Sequence, residues 1–162
     1  MRKRNTLMTF LAAGVLGVGL STPAHAITSE DAAGRNLLEM AACQENWEAS
    51  KFKMHLWYNS GQNGSHRNIG YSVYDFNALR PGDGGAHPLK FCRFGASAPW
   101  PGSGQNIKNN AASGENTHSK YMARVYYYSG YKKPYQTMGA YQHISRFTTV
   151  YNENASFAWI AP

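Results

Sequence analysis

From residue 52 onward apolar and polar positions alternate, with Phe52, Met54, Leu56 and Tyr58 interleaved with Lys53, His55, Trp57 and Asn59. Successive side chains of a strand point to opposite sides, so this period predicts a strand with one buried face. The same phase returns at Tyr121, Ala123, Val125 and Tyr127. Each run ends in turn chemistry, Ser60-Gly61 and Ser129-Gly130. After an irregular segment a second β-branched and aromatic stretch continues each unit: Tyr71, Val73, Tyr74 and Phe76 in one, Phe147, Val150 and Tyr151 in the other.

The two runs belong to a longer internal match. Phe52 to Gly70 aligns without gaps to Tyr121 to Gly139 at a shift of 69, with Tyr58/Tyr127, Ser60/Ser129, Gly61/Gly130 and Gly70/Gly139 identical. A second match at a shift of 43 pairs Ile107–Ser113 with Val150–Ser156 and shares Asn109/Asn152, Ala112/Ala155 and Ser113/Ser156. The shifts differ by 26 residues, so the first copy carries an insertion, which the Gly- and Pro-dense stretch 78–105 supplies. Two strand-rich copies predict an all-β sandwich of two Greek keys, repeat one over 52–113 and repeat two over 121–160.

Ahead of the single sandwich domain, 49–162, residues 27–48 read as a short helix or a flexible tail: Thr28 or Ser29 can cap, Glu30 and Asp31 suit a first turn, and Leu37, Leu38 and Ala41 share a face. Residues 1–26 have the layout of a secretory signal peptide, with basic Arg2-Lys3-Arg4, an apolar stretch over Thr6–Leu20 and the small-residue site Ala24-His25-Ala26. The expected mature product is secreted and extracellular, with no membrane span. Without its first 26 residues the chain has 13 basic and 9 acidic side chains, a net charge of +4. It has no clustered basic run, so nucleic acid is not an expected partner. Cys43 and Cys92 both lie in the exported part, where an oxidising compartment favours one disulfide over a metal site or a catalytic thiol.

The repeat resembles the βγ-crystallin Greek key, in which an aromatic is followed five residues on by a second aromatic, then by Gly two further, and later by an Asn/Asp-rich box ending in Ser. The first unit has Trp57, Gln62 and Gly64, and the second has Tyr126, Tyr131 and Lys133, so each departs at one position. The signal peptide, the small size and the strings YNSGQNGS and VYYYSGY are similar to the secreted actinobacterial branch of that superfamily, the peptidase inhibitors of the metalloproteinase-inhibitor type. The resemblance covers Cys43 to Ile160 and implies a non-catalytic protein-binding sandwich. It also implies a calcium box, matched by Asn109, Asn110 and Ser113, where neutral amides would bind the ion only weakly. No other cofactor is expected.

The sequence carries no H-E-x-x-H, no G-x-S-x-G and no phosphate-cradling Gly-Lys-Ser/Thr loop. Beyond residue 48 the carboxylates are Asp75, Asp83, Glu115 and Glu153, a thin basis for the acid/base pair of a glycosidase. Glu115 and His118, three residues apart, form a carboxylate–imidazole arrangement that a small secreted nuclease could use. Binding chemistry is better represented. Pro99 and Pro101 flank Trp100 in the insertion, and a loop stiffened by prolines loses little entropy on entering a protease cleft. Trp57 and Tyr126 are the aromatic candidates on the sheet faces, for a protein partner or for sugar stacking. The expected function is peptidase inhibition. The alternatives are a structural adaptor subunit in a secreted toxin or cell-surface complex, with 27–47 reaching a partner, and a lectin-like module.

Overall fold

A computed structural model of the protein describes residues 27–162. The signal-peptide reading therefore lies outside the described residues. Helix α1 (Ser29–Leu38) starts where Thr28 Oγ1 accepts the Asp31 N–H at 3.0 Å, with Glu30 and Asp31 in its first turn. Of the two N-terminal alternatives the helix is realised, and it is docked. Asn36 is buried, its Nδ2 donates to Tyr71 O, and its Oδ1 accepts the N–H groups of Gly70 and Tyr71. A 3-10 turn over Met40–Cys43 leads to the Cys43–Cys92 disulfide, whose Cα atoms are 5.5 Å apart.

Seven strands follow: β1 (Met54–Asn59), β2 (Asn63–Ile69), β3 (Ser113–Asn116), β4 (Met122–Tyr128), β5 (Lys132–Met138), β6 (Gln142–Ile144) and β7 (Ser156–Ile160). They form two antiparallel sheets, ordered β2-β1-β3-β6 and β5-β4-β7. β6, from the second repeat, completes the first repeat's sheet. In exchange, Val73 of the first repeat bridges Phe157 in β7. Each Greek key thus lends its third strand to the other, and the fold is an all-β sandwich.

The two repeats make the same bonds with equivalent residues. Both hairpins turn through two left-handed residues, Gly61-Gln62 and Gly130-Tyr131, the backbone that a tight hairpin requires. Ser113 Oγ donates to Asn59 O and accepts from Gln62 N; Ser156 Oγ donates to Tyr128 O and accepts from Tyr131 N. Ala112 N bonds Trp57 O, and Ala155 N bonds Tyr126 O, each at 2.9 Å. These partners stand at the shifts of 69 and 43 read from the sequence. Met54, Leu56, Ile69 and Val73 meet Ala123, Val125, Met138 and Phe157 in one core.

The insertion 78–105 is anchored in the fold: Leu79, Leu89 and Phe91 enter the main core, and bridges Leu79–His87 and Lys90–Asn106 pin it. One expectation needs correction: β1 is buried on both faces. Trp57 is 1% exposed because Trp47 packs edge-on against it at 5.4 Å and His66 lies 5.6 Å away. Tyr126 is 6% exposed, under Tyr131 and Tyr135. Neither ring stands free on a sheet face for a partner or a sugar.

Candidate functional site

The most distinctive exposed feature is the insertion's tip, from Gly95 to Pro101. Ala96, Ser97, Ala98 and Pro99 are exposed in sequence. The segment projects because it is fastened on both sides. On the leading side Cys92 is bonded to Cys43, its N–H donates to His66 O at 3.0 Å, and its carbonyl accepts Ser65 Oγ. On the trailing side Ser65 N–H donates to Pro101 O at 2.8 Å and Ser103 N–H to Trp100 O at 2.9 Å. Trp100 N–H closes the base onto Phe94 O at 3.2 Å.

Two glycines make this geometry possible. Gly95 is left-handed (φ 73°), and a Cβ there would fall on Ala98 O. Gly102 (φ 83°) lies against the Tyr58 ring, where a Cβ would overlap ring carbons. Of the sequence candidates, Pro99 and Pro101 are exposed and fix the backbone around the tip. Trp100 is half-buried, its ring 5.1 Å from that of Phe94, which in turn stacks on His66 at 4.7 Å. Trp100 thus braces the tip from beneath and is not a protruding anchor. The presenting residues are Ala96, Ser97 and Ala98, which carry no sequence signal beyond the glycines and prolines around them.

The calcium candidates are occupied with structural bonds. Asn109 is left-handed (φ 61°), as is its repeat partner Asn152 (φ 50°), and its N–H donates to Asn154 O. Asn110 Nδ2 donates to Asn106 O at 3.0 Å, and Ser113 Oγ holds the hairpin. A cation is already built in beside them: Lys108 Nζ lies 3.0 Å from both Asp75 Oδ1 and Ser129 Oγ. Burial pushes the Asp75 carboxyl up, but bonds from Asn77 N–H and Lys108 outweigh this and hold it below the ordinary range. In the second repeat Tyr151 stands at the shift of 43 from Lys108, and the Arg146 guanidinium sits over its ring at 4.1 Å. Among the described residues no cluster of three or more His, Cys, Asp or Glu could hold a metal ion.

Glu115 and His118 line one open cleft with Glu48 and Lys53, yet each is engaged elsewhere. Glu115 Oε2 accepts Trp47 Nε1–H at 3.1 Å, while His118 Nδ1 accepts the N–H groups of Lys120 and Tyr121. An exposed Asp83–His87 pair, 2.7 Å apart, staples the insertion. No family model and no curated protein matches the chain. A solved structure described as "Evolution of the eye lens beta-gamma-crystallin domain fold" is similar at 12% identity, with a TM-score of 0.47, over 69% of this chain and 88% of that one. Among the described residues no helix is long and apolar enough to cross a membrane.

Proposed function

We propose that the protein is an extracellular, non-catalytic binding module that inhibits a peptidase by presenting residues 95–101 to its cleft. The observation that carries this reading is the tip itself, four consecutive exposed residues held at both ends by backbone bonds and close to a disulfide. A segment ordered before binding loses little conformational entropy on docking, so more of the contact energy remains as affinity. Ala96, Ser97 and Ala98 suit an enzyme whose subsites accept small side chains. The test is to titrate metallo-, serine and cysteine peptidases with the folded protein and follow hydrolysis of a short Ala-rich reporter peptide. Stoichiometric inhibition without cleavage of the tip is expected. Undiminished activity of every enzyme, or rapid scission within 95–101, would overturn the reading.

A second reading, subunit of a secreted assembly, rests on Leu38 and Met40. They are 82% and 91% exposed at the end of the docked helix, an apolar pair with no cover among the described residues. In this reading the contact is the rigid end of α1 rather than a flexible tail. Leu38→Lys with Met40→Lys should then abolish co-purification of partner subunits from culture medium, while Ala96→Asp with Ala98→Asp leaves it intact.

A further inference from the structure

We propose that a groove at the other end of β1 and β2, remote from the tip, is a binding site for a carboxylate-bearing sugar. The groove encloses about 390 Å³, within the range of small-ligand sites. Its walls bring together Arg35 from α1, Lys51 and Lys53 ahead of β1, Tyr71 after β2, Tyr121 ahead of β4 and Trp159 in β7. Phe52, Gly70 and His118 complete the lining, which contains no carboxylate. A site with three cations, an imidazole and no anion selects a negatively charged ligand.

The cations are directed by their neighbours. Arg35 Nη1 donates to Tyr71 Oη at 2.7 Å, and its guanidinium lies 5.8 Å from that ring, leaving further N–H donors for a ligand. Lys53 Nζ is steadied by Ser50 O. Lys51 is the one cation with an acidic partner, Glu39 Oε1 at 2.6 Å, which lies outside the lining. Between these charges the rings supply flat apolar surface. Tyr121 is 40% exposed, and His118 joins it to Trp159 through ring contacts of 5.0 and 5.3 Å. Aromatic faces take up the C–H faces of a sugar ring, and the cations take up its carboxylate.

Most of the backbone around the groove is already bonded, which disfavours strand addition by an extended peptide. Gly70 and Tyr71 give their N–H groups to Asn36 Oδ1, while their carbonyls accept Trp159 Nε1 and Asn36 Nδ2. Lys53 O accepts Thr117 N, Tyr121 N donates to His118 Nδ1 and Tyr121 O accepts Asn116 Nδ2. A peptide strand would find no free ladder along these segments, whereas a sugar needs only the side chains.

The site is separate from the tip, so its test is independent of peptidase inhibition. A short glucuronate oligosaccharide is titrated into the intact protein by calorimetry, with Trp fluorescence as a second readout. The matching glucose oligosaccharide and inorganic phosphate serve as comparison probes. Saturable binding of the glucuronate probe is expected, with at least about tenfold weaker binding of the other two. Arg35→Gln and Tyr121→Ala, both at exposed positions, are each expected to weaken glucuronate binding by about tenfold at unchanged melting temperature. Absence of glucuronate binding, equal binding of the neutral or phosphate probe, or full affinity in both variants would overturn the proposal.

Discussion

His55 makes the fold acid-sensitive over a defined window. It stands in β1 with 0% exposure, bonded through Nδ1 to Asn68 Oδ1 at 2.8 Å and through Nε2 to Thr117 Oγ1 at 2.9 Å. Asn68 uses both its N–H groups on Ala41 O and Gln44 O, so its oxygen accepts and the neutral ring carries its proton on Nδ1. Burial pushes the imidazole down from 6.5 to about 4; the Asn68 bond opposes this, while His66 and Lys53 add to it. Because the unfolded chain takes up this proton first, stability is complete above pH 6.5 and declines as the pH falls toward 4. The shift is equivalent to about 3 kcal/mol by the lower end of the window. Burial lowers His66 as well, with the same sign. Urea denaturation at pH 7 and pH 4 measures the loss, and His55→Gln removes this titration while keeping a polar side chain. The variant is expected to lose less stability between the two pH values than the parent, by about 3 kcal/mol. Equal losses in both proteins would refute the reasoning, because the exposed carboxylates are common to them.

Non-reducing mass analysis should find no free thiol in the mature protein, and replacing both cysteines with Ser should cost about 4 kcal/mol for the 49-residue span. Trp100→Ala should lower thermal stability by about 1–3 kcal/mol through lost packing on Phe94; an unchanged melting temperature would return Trp100 to the role of a free contact residue. Any calcium affinity is expected to be millimolar or weaker, centred on Asn110 and Ser113; a submicromolar site in a calcium titration would contradict the assignment of Lys108 as the resident cation.

The duplication was legible because turns impose the same chemistry on both copies. Gly61 and Gly130 had to provide a left-handed residue, and Ser113 and Ser156 had to bridge a hairpin carbonyl and the opposing N–H, so these positions resist drift. Alternation located β1 and β4, but it could not show that β1 is covered on its outer face. That cover comes from Trp47, distant in sequence and close to the disulfide, and from His66 of the neighbouring strand. Trp57 therefore looked like a surface aromatic. The site was half legible: prolines and glycines marked the insertion, while its presenting residues are small and patternless. The docking of α1 joins the packing of Ala33 and Leu37 on the core to polar bonds made by Asn36 and Arg67, and hydrophobic periodicity does not report the polar ones. The groove at the far end draws its residues from five separate segments and became visible only once the strands were closed.

The central claim is that the braced tip carries partner binding. Its most direct measurement is the inhibition constant, against whichever peptidase the parent protein inhibits, of a variant with Ala96→Asp and Ala98→Asp and the native melting temperature. These side chains are exposed, so the fold should be unaffected, and two carboxylates forced against subsites for small residues should weaken inhibition by about a hundredfold or more. An unchanged inhibition constant in the folded variant would contradict the account and move the contact away from residues 95–101.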